Sequence, residues 1–347
     1  CSGGNSGHEA DSDIDCAGVC DGDWVVDDCD DCVDPDDYNG AQDCAGVCDG
    51  DAMLDECEVC DDDPSNDCVD YTIALDGIDL ISFHALPEND SIKIVFSGIE
   101  GSNPGIFSEE ESAMFDNESG WIGGLTKIDR QDGYWVVIDG EADLDVVDAL
   151  PTDPETTVYS LHEGANLISY PFSGCAPVEE TIPEEAHSSI EGIITEGRSA
   201  FNRENDWLGG LVNFCGTAGY WLITNDSVSF TYNPPAEGVA RKASPIRSVP
   251  MEFAFKQSTQ QAFYFVENAT IGGEPIEKED LIIAYNGDVR VGSRYWYGET
   301  TDVPAMGTDG SDAYAGYCNA GDKLSFKVLD ASSGDLIDMV ADGEAIW

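Results

Sequence analysis

The chain has 347 residues, 71 of them acidic and 14 basic, for a formal net charge of −57. So few Lys and Arg exclude nucleic acid as a partner, because phosphate binding rests on clusters of them. Repulsion on this scale opposes a compact state unless cations screen or bind the carboxylates, and the length predicts two to four domains.

Residues 1 to 14 form a polar leader. It starts at Cys1, followed by Ser-Gly-Gly-Asn-Ser-Gly. This start resembles a mature bacterial lipoprotein, which implies a lipid anchor on Cys1; the alternative is an arbitrary start. Thirteen cysteines, most at regular spacings, point to an oxidising compartment and an extracellular or outer-surface location. No run of roughly 18 apolar residues is present to make a transmembrane helix.

Residues 15 to 70 carry DCAGVCDGDWVVDDCDDC and then DCAGVCDGDAMLDECEVC. Cys16/Cys44, Cys20/Cys48, Cys29/Cys57 and Cys32/Cys60 all share an offset of 28. Between them lie mostly Asp and Gly, so burial of apolar surface does not offset the chain entropy, and covalent or metal bonds must order the segment. Asp21-Gly22-Asp23 with Asp27, and Asp49-Gly50-Asp51 with Asp55, place carboxylate oxygens around tight turns, the donor type calcium takes. Asp11, Asp13 and Asp15 add a further set. The plain alternative is solvated Asp on a disulfide knot. Zinc on Cys29-x-x-Cys32 and Cys57-x-x-Cys60 is a third reading, but it requires reduced thiolates.

From Tyr71 apolar alternation appears. Asp79–Phe83 matches Asn166–Tyr170, Trp121–Leu125 matches Trp207–Leu211, and Gly133–Val136 matches Gly219–Leu222, at offsets of 87, 86 and 86. Two tandem β modules follow, 71–154 and 155–232. Ser91–Phe96, Tyr134–Ile138 and Tyr220–Thr224 read as strands; Glu109–Phe115 and Glu191–Phe201 read as helical turns. Trp121, Trp135, Trp207 and Trp221 recur in register, which favours core packing over a ligand platform. Cys175 and Cys215 are the module pair's two cysteines and are expected to bond to each other.

Residues 233–250, NPPAEGVARKASPIRSVP, predict an extended Pro-rich linker whose Arg241, Lys242 and Arg247 suit an acidic surface. Residues 251–347 predict a β-sandwich of about seven strands: 253–255, 261–266, 280–285, 288–291, 323–329 and 336–340, with a hairpin turn at Asn286-Gly287. Asp302, Asp309 and Asp312 on a Gly-rich loop are a weaker calcium candidate.

DCAGVCDGD with DECEVC resembles the Cys/Asp/Gly repeats of secreted and surface proteins and, distantly, the calcium-binding thrombospondin type 3 repeats. NLISYPF with WLGGL and GYW, and QQAFYFVENATIGGEPIEKEDLIIAYNGDVRVGSRYW with DVPAMGTDGSDAYAGY, resemble modules of large surface proteins of marine bacteria. The resemblance implies architecture and no known activity. A full DxDxDGxxD run is missing, so calcium ligands do not transfer from it.

With Cys1 assigned to lipid and Cys175 paired with Cys215, nine cysteines remain in the arm and Cys318 in the last module. Four disulfides close within the repeats and Cys68 is left over, so the simplest expectation joins Cys68 to Cys318, within or between chains. His8, His84, His162 and His187 sit in no catalytic motif, and GxSxG, HExxH and phosphate loops are absent. The expectation is a mainly β, non-enzymatic protein: a disulfide- and calcium-organised N-terminal arm, tandem small β modules and a C-terminal β-sandwich. Its expected role is a self-associating structural subunit of a surface appendage, filament or coat. The alternatives are an adhesin or carbohydrate-binding surface lipoprotein with a glycan ligand, and an accessory region of a secreted hydrolase.

Overall fold

The computed structural model describes residues 7, 9, 11–55, 57, 59–62, 67–204, 206–235 and 247–347. Cys1, Arg241 and Lys242 lie outside the described residues. The protein is mainly β and divides into two compact units, Cys1–Val69 and Asp70–Trp347. No helix among the described residues is long and apolar enough to cross a membrane.

The first unit has almost no core. Among its described residues only Asp27 and Cys68 are buried. The regular structure of its described residues is two two-stranded ribbons, β1 (Val25–Val26) with β2 (Cys32–Val33) and β3 (Met53–Leu54) with β4 (Cys60–Asp61), and a 3-10 turn at Pro35–Asp37. What repeats is a five-residue loop closed by an aspartate. In Asp15–Val19, Asp27–Asp31, Asp43–Val47 and Asp55–Val59, the Asp N–H donates to the carbonyl four residues on, at 2.9–3.0 Å. The Asp Oδ1 accepts the N–H of that same residue at 2.7–2.9 Å. This is the local side-chain-to-backbone bonding in which Asp competes with helix and sheet. Gly22 and Gly50 are required beside it: a Cβ there would fall 2.0 and 1.9 Å from Asp15 Oδ2 and Asp43 Oδ2.

The second unit opens with the first module: β5 (Val69–Ser82), β6 (Ala85–Pro87), α1 (Ile92–Val95), β7 (Gly105–Phe107), β8 (Ser112–Asp116), β9 (Gly120–Gly123) and β10 (Gly133–Pro151). The second module holds β11 (Tyr159–Leu161), β12 (Gly164–Ile168), β13 (Cys175–Pro177), α2 (Val178–Thr181), α3 (Glu184–His187), β14 (Ile190–Thr195), β15 (Arg198–Arg203), β16 (Asp206–Gly209), β17 (Asn213–Cys215), β18 (Tyr220–Thr224) and β19 (Val228–Phe230). Sheet order β5-β10-β7-β8-β9 in the first is matched by β12-β18-β14-β15-β16 in the second, so the two modules share one topology. Three local expectations are corrected. Ser91–Phe96 is a helical turn, not a strand, because Ser91 is extended and the N–H groups of Val95 and Phe96 bond back to Ser91 and Ile92. Glu109–Phe115 and Glu191–Phe201 are turn-and-strand segments: the strand pairings Ala113–Gly123 and Ile193–Ala200 hold them, with Ala113, Ile193 and Ala200 buried in the core.

The modules meet through reciprocal contacts, as in an isologous dimer interface. Ile81 bridges Ala218 and Asp132 bridges Ile168; Ser82 N–H donates to Thr217 O and Ser169 N–H to Gln131 O. Leu80, Leu167 and Trp135 are buried together, with Trp221 against them. Gly133 and Gly219 sit where backbone meets backbone: a Cβ would lie 3.1 Å from Ile168 O in one case and 2.6 Å from Ile81 O in the other. Overpacking against a backbone carbonyl has no easy relief, so Gly219→Val is expected to cost about 1–3 kcal/mol in chemical denaturation, and Gly133→Val a similar amount. No loss at either position would show that the mirrored contact is not tight.

The C-terminal module comprises β20 (Gln261–Val266), β21 (Thr270–Ile271), β22 (Glu274–Pro275), β23 (Leu281–Asn286), β24 (Val289–Tyr295), β25 (Thr301–Met306), β26 (Leu324–Leu329) and β27 (Leu336–Asp338). A four-stranded sheet, β24-β23-β26-β27, packs with the β20–β25 pair around one core that includes Ile282, Val291, Val303, Met306 and Val328. In the β23–β24 hairpin Asn286 pairs with Val289, and the left-handed φ of +58° falls on Gly287. Residues 253–255 are not a strand: Met251–Phe253 forms a 3-10 turn.

Candidate functional site

The arm's acidic residues divide by role. Asp21 and Asp49 take left-handed φ angles of 49° and 53° right after Cys20 and Cys48, and their N–H groups donate to Asp13 O and Ala41 O. Asp11, Asp23 and Asp51 are exposed, and Ser12 Oγ donates to Asp13 Oδ1. Asp15, Asp27 and Asp55 commit one carboxylate oxygen each to closing a loop. Asp43, the copy of Asp15, does the same and was not among the expected ligands. The second oxygens differ: Asp55 Oδ2 accepts Cys68 N–H at 3.3 Å, whereas Asp27 Oδ2 is buried with no hydrogen-bond partner among the described residues. An unsatisfied buried carboxylate oxygen is costly, and a hard cation would satisfy it.

The cysteines pair Cys16–Cys32, Cys29–Cys48, Cys44–Cys60 and Cys57–Cys68 in the arm, and Cys175–Cys215 in the second module; Cys20 is disulfide-bonded too. The Cys175–Cys215 expectation holds, across directly paired strands β13 and β17. Cys68 does not reach Cys318. It closes on Cys57, eleven residues away, while Cys318 is a free, buried thiol in the sandwich core. Burial pushes that thiol up to about 11, so it is neither a thiolate nor exposed for an intersubunit bond. Asp55, Cys57 and Cys68 converge closely enough to hold a metal, but the two sulfurs are bonded to each other. Cys29, Cys32, Cys57 and Cys60 are likewise spent on disulfides, which leaves the C-x-x-C pairs no thiolate for zinc.

Asp302 is not on a surface loop with Asp309 and Asp312. It lies in β25, fully buried. Its Oδ2 accepts Ser199 N–H at 2.8 Å and its Oδ1 accepts Gly210 N–H at 2.9 Å; Arg294, also buried, stands 3.6 Å away. Arg294 in addition donates to Asp302 O at 3.0 Å and to Gly197 O. The group ties the second module to the C-terminal module, which corrects its reading as a calcium ligand. Asp309 stays at the surface, held below the usual carboxylate range by Ser311; Asp312 opens a 3-10 turn.

A crevice between the first two modules collects acids. Glu109 Oε2 accepts Leu167 N–H at 2.9 Å and its Oε1 lies 2.7 Å from His162 Nε2. His162 Nδ1 meets Glu163 O at 2.8 Å. Acceptors on both ring nitrogens favour the protonated imidazole, and the Glu163 carbonyl and Glu109 raise His162 above its ordinary value. Asp132 borders the same crevice and is pushed up to about 6, first by burial and then by Asp129, Glu109 and Glu110.

The mirror position carries Glu196, whose Oε2 accepts Leu80 N–H at 3.4 Å. It faces Asp79 and Asp76 in place of a histidine, and burial with those charges raises it to about 7. A carboxyl raised above its unfolded value of about 4.3 binds protons preferentially in the folded state, so its contribution is lost as pH rises from about 4 through 7. His84, buried and lowered to about 4, works in the opposite sense, losing stability below about 6.5. Glu196→Gln isolates the first effect. The melting-temperature difference between variant and parent is expected to move in the variant's favour from pH 5.5 to pH 8; a difference flat with pH would refute the shift.

The repeated Trp residues serve packing. Trp135 is buried, Trp121 Nε1 donates to Glu100 at 3.2 Å, and Trp207 packs edge-on to His187. No protein-family model, no curated protein and no solved structure matches the chain.

Proposed function

We propose that the chain is a structural subunit of an extracellular surface appendage, filament or coat, stabilised by disulfides and calcium. The observation that carries this is the arm's overlapping disulfide chain. Cys16–Cys32 encloses Cys29, whose partner Cys48 lies beyond Cys44, whose partner Cys60 lies beyond Cys57. Every stretch from residue 16 to 68 is thus spanned by a covalent loop, in a segment whose described residues have almost no apolar core. Such a segment spends its sequence on mechanical continuity. Calcium would sit at Asp27, whose orphaned Oδ2 supports it; the carboxylates of Asp21, Asp23 and Asp27, like those of Asp49, Asp51 and Asp55, do not converge within 4.8 Å of one another.

Negative-stain microscopy of the full chain, with calcium and after chelation, tests the reading. Ordered polymers that fray on chelation are the expected result. Dispersed single particles under both conditions, at every concentration reached, would refute it.

A further inference from the structure

The repeat relation exposes a face that has lost its cover. On the second module, Phe201 and Leu208 are a cross-strand pair, and Phe265 of the C-terminal module packs on Phe201 with ring centroids 5.7 Å apart. Charges flank this contact: Arg203 pairs with Glu267, and Arg198 senses Asp302. The same positions on the first module, 86 or 87 residues earlier, are Met114 and Ile122, again a cross-strand pair. They are 60% and 55% exposed, with Phe107 on the same face at 37%. The flanking residues are inverted in charge, Glu111 for Arg198 and Asp116 for Arg203. A C-terminal module docked there in the same pose would set Asp302 against Glu111 and Glu267 against Asp116. The face therefore calls for an apolar surface bordered by cations.

Another side of the C-terminal module has that chemistry. A shallow groove of about 590 Å³ is lined by Phe255, Lys256, Tyr285, Arg290 and Tyr317, with Asp288 at its margin. Lys256 Nζ lies over the Tyr314 ring at 4.6 Å, near Asp309, and Arg290 Nε donates to Ala254 O at 2.9 Å. Among the described residues neither cation is in a salt bridge. In a chain with 71 acidic and 14 basic side chains, two cations outside any salt bridge, beside one aromatic groove with Asp309 and Asp288 near them, mark a surface suited to an acidic occupant.

We propose that this groove receives the β7–β8–β9 face of a second copy, Lys256 and Arg290 against Glu111 and Asp116, and the aromatic lining against Met114 and Ile122. Two different patches of one chain then meet head to tail, which generates an open polymer unless the rotation closes a ring. The inference rests on the structural-subunit reading and names the contact that would build the polymer.

Sedimentation velocity on the full chain over a wide concentration range, in calcium, tests it with two surface variants: Lys256→Glu/Arg290→Glu and Met114→Ser/Ile122→Ser. Circular dichroism checks that both remain folded. Wild type is expected to form a concentration-dependent series of oligomers, and each variant alone to associate at least about tenfold more weakly. Mixed together, the two variants retain one good patch each and are expected to give dimers and nothing longer. Variants that assemble as wild type does, or a mixture that polymerises, would overturn the contact while leaving self-assembly standing. A wild-type chain monomeric throughout would overturn the subunit reading and this contact with it.

Discussion

Replacing Asp302 with Ala is expected to destabilise the second unit by about 3–5 kcal/mol, the range for removing one partner of a buried ion pair. The carboxylate satisfies the N–H groups of Ser199 and Gly210 and offsets the charge of Arg294. All of these are lost together, and water reaches none of them easily because Asp302 is fully buried and Arg294 nearly so. The uncompensated Arg294 is the largest part of the cost. The double variant Asp302→Ala/Arg294→Met should therefore be less unstable than the two single losses added, since the interaction they share is counted twice. Calorimetry should also show a change in cooperativity. The second module and the C-terminal module are tied here and at the Thr195–Gly197 turn, where Gln261 donates to Thr195 O and accepts Gly197 N–H. Loosening the first tie should broaden or split the transition. A loss below about 1 kcal/mol for Asp302→Ala would mean that the ion pair is no stronger than a surface one.

Asp302 also marks the limit of what the sequence discloses. Thr301–Met306 reads TDVPAM, and an Asp and a Pro in six residues argue for a loop. The segment is nonetheless a strand, with all six residues buried, because Arg294 and two amide groups distant in sequence receive the carboxylate. Tertiary partners of that kind leave no local signature. The Glu109–Glu111 run, which suggested a helix start, is likewise explained only by the neighbouring module, where Glu109 meets Leu167 N–H and His162. By contrast the 86- to 87-residue register was visible, since the interface glycines and tryptophans recur in it, and so was the Cys175–Cys215 bond. The 28-residue register of the arm was equally plain, but its disulfide connectivity was not. Equal copies suggest closure within each copy, whereas the third cysteine of the first copy, Cys29, crosses to Cys48 in the second. Spacing alone does not choose among connectivities. The role of Asp15 and its copy Asp43 was legible after the fact: each stands first in DCAGV, at the one position from which a carboxylate closes the loop.

Reduction should unfold the arm and leave the second unit folded. The four described arm bonds close loops of 16, 19, 16 and 11 residues, and closing a loop of about 15 residues restrains the unfolded chain by about 3 kcal/mol in the entropic account. Among the described residues nothing else of that size, apart from the further bond at Cys20, holds the arm, since its ribbons are two residues long per strand and Met53 and Leu54 are exposed. The second unit depends on its own cores, including a cluster of buried residues with Tyr170, Phe214 and Tyr220, and one described disulfide, half-buried Cys175–Cys215, flanks that cluster. Limited proteolysis in reductant should cut throughout residues 16 to 68 while fragments covering the two modules and the sandwich persist. A finer test removes one link. Cys29→Ser/Cys48→Ser leaves Cys16–Cys32 and Cys44–Cys60 intact and deletes the bond that joins the first copy to the second. Cleavage should then concentrate between Val33 and Asp43, the stretch that no remaining described loop spans. If that variant resists protease as well as the parent does, the chained loops are not what orders the arm, and the Asp-closed turns, with any bound cation, must suffice alone.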